Sequence, residues 1–236
     1  MQLLYSKVFM DSWYALKDAV LEGGIPFNKV NGMHAFGYTE KDPKFNQVFN
    51  KAMTSQTTLI MNGILEKYRG FENIKQLVDV GGGYGFTLNM IKFKYPNIKG
   101  INFDLPHVIK NAPLHPGIQN VEGDMFINVP KSDGILLKCI LHDWSDDHCL
   151  EILKSCYSAL PYEGKVIVIE IILPDVPETT AASRFIQQLD LIMMTQHVGG
   201  KERTKHEFES LALSAGFKGI RFECFACSFW VMEFYK

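Results

Sequence analysis

An apolar run that breaks into glycines, Val78-Asp79-Val80-Gly81-Gly82-Gly83-Tyr84-Gly85, constrains this chain more than any other stretch of its 236 residues. Glycines at 81, 83 and 85, directly after a strand-like run and before a helix-like one, let the backbone turn sharply. They also let it approach a ligand at the carboxyl end of a sheet. By itself such a run equally marks a plain tight turn. Its setting decides: short strand-like runs at 77–80, 98–103, 119–123, 135–139 and 165–169 alternate with helix-like stretches, which predicts a parallel sheet of βαβ units. The helix expected after Ser145 carries Cys149, Ile152, Leu153, Cys156, Tyr157 and Leu160 on one side and stops at Pro161. Thr204 and Glu207 form a capping-box pattern ahead of Phe208, Leu211 and Ala212, with Gly216 placed to end that helix. Runs at 219–225 and 228–235 follow, joined tightly or through a bulge, and suggest an antiparallel edge at the C-terminus.

Ahead of the sheet the period is helical. Tyr5, Phe9, Trp13, Leu16 and Val20 recur at steps of three and four until Gly23, Gly24 and Pro26 stop them. A second helix begins where Asp42 caps and Pro43 takes the first position, with Phe45, Phe49 and Met53 along one face. The expected division is a helical segment at 1–73 and a sheet domain at 74–236.

The glycine loop also narrows the ligand. A dinucleotide fingerprint needs its third glycine at position 86, where this chain has Phe86, and no Lys-Ser or Lys-Thr follows to cradle a triphosphate. Asp104, 19 positions after Gly85 at a strand end, is placed to accept from ribose hydroxyls. Asp124, with Met125 and Phe126 behind it, offers a carboxylate and a soft wall for an adenine. A net charge of −2 gives no basic face, so no nucleic-acid partner is expected. No apolar run reaches membrane-spanning length and no secretory leader opens the chain, so a cytoplasmic location is expected. The five cysteines form no paired framework, and Cys224-x-x-Cys227 reads as buried free thiols. His142 and His148, six apart among Asp143, Asp146 and Asp147, do not share a helical face, so this cluster reads as a solvated helix start and not a metal site.

Five ordered segments, 77–83, 100–108, 123–126, 142–146 and 199–204, resemble those of the plant small-molecule O-methyltransferases typified by caffeic acid O-methyltransferase. The resemblance runs through the whole chain. It implies a Rossmann-like S-adenosylmethionine-dependent methyltransferase fold, with the donor bound by Gly81, Asp104, Leu105, Asp124, Met125 and Lys138. It implies His142 as general base flanked by Glu170 and Glu202, and a phenolic pocket lined or bordered by Phe45, Phe49, Met53, Trp144, Ile192, Met193 and His197. No metal is required by the reaction so implied. At His197 the lignin-pathway members usually carry a small amide, so the imidazole widens the expected acceptor to a phenylpropanoid, a flavonoid or a benzylisoquinoline alkaloid. Family members are homodimers built by a further N-terminal helical domain, and against that pattern this chain starts after it. The alternative expectation is therefore a donor-binding but catalytically impaired subunit or partner of full-length relatives.

Overall fold

The computed structural model describes residues 3–236, so the first two residues of the helical segment lie outside it. Where one amphipathic helix was expected there are two, α1 (Lys7–Tyr14) and α2 (Leu16–Glu22), meeting at Ala15. Ser6 caps the first by accepting from the Phe9 N–H, which leaves Tyr5 outside the helix. Of the predicted stripe only Phe9 is buried, while Tyr5 and Val20 are exposed. Gly23 ends α2, but Pro26 opens a further helix, α3 (Pro26–Asn31), at the position where a missing N–H costs nothing. After α4 (Ala35–Lys41), the long α5 (Pro43–Lys67) starts as predicted, Asp42 Oδ1 accepting from the N–H groups of Lys44 and Phe45 at 2.9 and 3.1 Å.

Strands and helices then alternate: β1 (Gln76–Val80), α6 (Phe86–Lys94), β2 (Lys99–Asp104), α7 (Pro106–Ile109), β3 (Ile118–Glu122), β4 (Gly134–Lys138), α8 (Asp146–Ala159) and β5 (Lys165–Glu170). The chain closes with β6 (Ile172–Leu173), α9 (Ala181–Gln196), β7 (Arg203–Thr204), α10 (Lys205–Ser214), β8 (Gly219–Ala226) and β9 (Phe229–Tyr235). The main sheet runs β3-β2-β1-β4-β5-β9-β8, parallel through β5, with β9 antiparallel to both its neighbours. Strand order reverses between β1 and β4. The crevice at the carboxyl ends of those strands is where open α/β sheets bind ligands.

Alternation along each strand fills two cores. Val78, Leu137 and Phe234 face α8 and α10 on one side, whereas Leu77, Leu136 and Ile167 face α5 and α6 on the other. The capping box at Thr204 and Glu207 is formed. The terminal hairpin turns on Cys227 and Ser228, whose φ values of 51° and 70° give the left-handed pair of a two-residue turn, and the bulge lies upstream between Phe222 and Cys224. The expectation of buried thiols fails here. Cys227 sits in that turn and is exposed, and Cys224 lies on the outermost strand and is half-buried, although both are free. No helix among the described residues is long and apolar enough to cross a membrane.

Candidate active site

At the carboxyl ends of β1 and β2, Gly81, Gly83 and Gly85 take φ values of 67°, 59° and 76°. A Cβ on Gly81 would lie 2.4 Å from Ile140 Cδ1 and force that side chain to shift, and the positive φ would strain any side chain placed there. Asp104 holds the loop in place: Oδ2 accepts from Gly83 N–H at 2.8 Å and Oδ1 from Leu105 N–H at 2.7 Å. Burial pushes its carboxyl above the usual range, with those two N–H groups pulling the other way. Asp124 Oδ1 accepts from Phe126 N–H at 2.9 Å, and Met125 and Phe126 pack against the sheet core behind it. Lys138 ends β4 and faces the charge of Asp79, whose carboxyl burial pushes up to about 7 against the pull of Lys138.

Two residues at this end escaped sequence reasoning. Asn102 is fully buried and donates to Gly83 O at 3.0 Å and to Asn120 Oδ1 at 3.1 Å. Asp79 is buried and its Oδ2 has no partner. A polar side chain inside an apolar strand was the available signal for both. A dinucleotide fingerprint has glycine at position 86 because helix and strand pack closely there, and Phe86 departs from that packing too. It does not sit at a close helix-to-strand contact but is exposed at the start of α6, its ring centroid 5.7 Å from that of His115.

The second half of the site begins where β4 ends in a 3₁₀ turn, Leu141–Asp143, that carries His142. Glu170, at the end of β5, holds this turn through Oε1, which accepts from the N–H groups of Ile140 and Leu141 at 2.8 and 2.9 Å. His142 Nδ1 lies 3.0 Å from Glu202 Oε1 and 3.6 Å from Glu170 Oε2. Its Nε2 lies 3.6 Å from Asp143 Oδ1, which also lies 3.2 Å from His197 Nε2. Burial alone would depress the His142 imidazole, but Glu170, Glu202 and Asp143 outweigh it and hold its pKa well above the ordinary value. Burial likewise pushes Glu170 up to about 7, opposed by His142. His197 is held below the ordinary value, burial outweighing the pull of Asp143.

Backbone supports complete this half. Arg203, fully buried, donates from Nη1 to Leu141 O and from Nη2 to Trp144 O, each at 2.7 Å, and from Nε to Asp146 Oδ1 at 2.9 Å. Glu202 is fixed by its own N–H, which donates to Asp190 Oδ1 at 2.9 Å. Asp143, Asp190 and Arg203 were not singled out from sequence for these contacts, most of which join residues far apart along the chain.

Phe45, Phe49, Met53 and Ile192 gather in one apolar cluster with Leu3 and Phe9, in which Phe45 is buried. Met193, in α9, is buried outside that cluster, and its carbonyl accepts the His197 N–H at 2.9 Å. Trp144 and His197 are joined through Phe36, whose ring centroid lies 6.0 Å from the first and 5.0 Å from the second. Sequence reasoning missed Phe36. A cleft of about 740 Å³ opens between α4, α5 and the glycine loop, with Thr39, Asn46, Asn50, Tyr84 and His107 on its walls. A larger one, about 970 Å³, lies at the amino ends of the strands, lined by Glu72, Lys75, Lys131 and Asp133, and neither cleft is lined by a residue predicted for the site.

With that geometry in place, similarity to known proteins is specific. The model of the O-methyltransferase domain family matches residues 13–218. O-methyltransferase 16 of Lophophora williamsii is 63% identical over 236 residues, covering 100% of this chain and 63% of that protein. Caffeic acid 3-O-methyltransferase of Capsicum annuum is 57% identical over 230 residues, covering 98% of this chain and 64% of its own length. The chain thus spans just under two thirds of the curated relatives it matches. Human N-acetylserotonin methyltransferase, solved in complex with SAM, superposes with a TM-score of 0.88 at 25% identity, over 99% of this chain and 68% of that one. Matched motifs, sheet order and relatives agree: the chain belongs to the O-methyltransferase domain family, with its Rossmann-like methyltransferase fold.

Proposed function

We propose that this chain transfers the methyl group of S-adenosylmethionine to a phenolic hydroxyl of a phenylpropanoid, flavonoid or benzylisoquinoline alkaloid, with His142 as general base. The observation that carries the reading is the orientation of one imidazole: Nδ1 is engaged by Glu202 and faces Glu170, which leaves Nε2 for an incoming proton. Residues of the sheet domain, 74–236, fit the donor. Asp104 keeps lone pairs for ribose hydroxyls beyond its two backbone contacts, and Asp124 and Met125 suit an adenine. Lys138 and the unpartnered Asp79 carboxyl offer opposite charges to an amino-acid end. The helical segment, 1–73, supplies the aromatic and Met walls of the acceptor pocket.

S-adenosylmethionine supplies an electrophilic methyl on a sulfonium. A phenol ionises near pH ~10, so at neutral pH it needs a positioned base. His142 Nε2 takes the phenolic proton as the oxygen–carbon bond forms and the carbon–sulfur bond breaks, leaving S-adenosylhomocysteine. Glu202 and Glu170 stabilise the imidazolium so made. The step moves one positive charge from sulfur to the imidazole and creates no new charge, so apolar walls do not oppose it.

The test is calorimetric titration with S-adenosylhomocysteine, followed by methyl transfer to catechols, flavonoids and alkaloid phenols. Binding with turnover is expected. Binding without turnover would favour a donor-binding partner of the longer relatives, and no binding would overturn the reading from Gly81 onward.

A further inference from the structure

One thiol in this site has no part in the proposed transfer. Cys139 follows the last residue of β4 with φ at 55°, a left-handed backbone that non-glycine residues seldom adopt, and it is half-buried and free. Its Sγ, a ring nitrogen of His142 and a carboxylate oxygen of Glu170 all lie within 4.8 Å of one another. The Glu170 side chain is wholly buried, and its Oε2 has no hydrogen-bond partner although it lies 3.6 Å from His142 Nδ1. A second buried oxygen without a partner, Glu202 Oε2, belongs to the residue on the same imidazole nitrogen. The charged groups around the thiol are Lys138 from β4, His142 from the turn, Glu170 from β5 and Glu202 ahead of β7. Asp143 adds a third carboxylate on the Nε2 side.

We propose that Cys139, His142 and Glu170 form an inhibitory site for a borderline-soft divalent cation, Zn²⁺. One thiolate, one imidazole and one carboxylate match the ligand preferences of that ion, with water in the fourth position. Zinc–ligand bonds of about 2.0–2.3 Å place tetrahedral ligand atoms about 3.5 Å apart, so the three side chains need to close by about 1 Å. The surplus of carboxylates over cationic side chains favours the ion, and Lys138 Nζ, 3.7 Å from Sγ, opposes it while favouring the thiolate. The partial exposure of His142, 15% of its side chain, gives a route in.

Coordination at Nδ1 explains the inhibition. The free base has its proton on Nδ1 and its lone pair on Nε2. With zinc on Nδ1, the neutral ring must hold its one proton on Nε2, where the phenolic proton would have gone. Binding releases the Cys139 thiol proton to solvent and, from the imidazolium form, the Nδ1 proton as well.

This silencing rests on His142 being the base, but the binding does not, so the two are measured apart. Co²⁺, a spectroscopic stand-in for Zn²⁺, is titrated into the unmodified chain with neither donor nor acceptor present. A thiolate-to-cobalt charge-transfer band is expected at one equivalent, displaced by Zn²⁺ and lost in Cys139→Ser but kept in Cys227→Ser. Zn²⁺ is expected to protect Cys139 from alkylation by iodoacetamide in the unmodified chain, read by mass spectrometry, which removes any dependence on how well Cys139→Ser folds. Its affinity, measured with a competing dye, is expected to fall at least tenfold in His142→Gln. A missing band, a band that survives Cys139→Ser, or unprotected Cys139 would overturn the site. Bound zinc with unaltered turnover would overturn the inhibition.

Discussion

The two halves of the crevice use carboxylates in opposite ways. At the donor half, Asp104 and Asp124 accept from backbone N–H groups of Gly83, Leu105 and Phe126, so each acid fixes a loop and presents its remaining lone pairs outward. At the proposed base half, Glu170, Glu202 and Asp143 converge on one side chain, His142, although Glu170 also holds the turn by accepting from the N–H groups of Ile140 and Leu141. Both halves leave buried oxygens without partners, at Asp79 and Asn102 in one and at Glu170 and Glu202 in the other. What differs is the neighbour. Backbone amides cannot change charge, so the donor half is a fixed mould, whereas an imidazole among carboxylates is a proton store whose occupancy the surrounding charges set.

The comparison predicts separable losses. His142→Gln is expected to lower turnover by ~10²–10⁴ while S-adenosylhomocysteine affinity stays unchanged. Calorimetry and initial rates on one preparation check both, and a donor-affinity loss with normal turnover would erase the distinction between the halves. Arg203→Met is expected to destabilise the chain by about 2–6 kcal/mol, because it leaves two buried carbonyls, Leu141 O and Trp144 O, without a donor at ~1–3 kcal/mol each. Urea unfolding reads this directly, and a midpoint near that of the unmodified chain would mean that the turn bearing His142 stands without Arg203. Asp104→Ala is expected to weaken S-adenosylhomocysteine binding by about ten- to a hundredfold, since it removes charge-assisted contacts worth ~1.5–3 kcal/mol. Turnover at saturating donor should change far less, and an equal fall in both would show that Asp104 also shapes the base half.

The geometry of the proposed donor half was legible in the sequence because its parts are local. A strand, a glycine turn and an acid at the next strand end follow one another within a single βαβ unit. The base half was reached only through resemblance, since His142 and Glu202 are 60 residues apart and no spacing rule connects them. Arg203, Asp190 and Phe36 act through contacts across the fold, and nothing in their own neighbourhoods announces this. The break between α1 and α2 falls at Ala15 with no glycine or proline to mark it, so periodicity carried one helix across it. The β6–β7 pair is too short for any alternation to register.

The finest test of the contrast is the pH dependence of Glu202→Gln. His142 is depressed by burial and raised by Glu170, Glu202 and Asp143, and the carboxylates win. A general base works unprotonated, so the acid limb of kcat/KM is expected to lie above the ordinary imidazole value of 6.5. Gln keeps the shape of Glu202 and an oxygen to accept from Nδ1, but it removes a negative charge that favours the imidazolium. The pKa of His142 therefore falls and the acid limb moves to lower pH. The plateau rate falls too, because the imidazolium formed in the transition state has lost one of its counter-charges. Asp104→Ala should leave the limb in place, since that carboxylate faces Gly83 and Leu105 and not the imidazole. An unmoved limb in Glu202→Gln would assign the titration to another group, Glu170 first, whose carboxyl burial already pushes to about 7, and the proton store would then be shared between Glu170 and the imidazole.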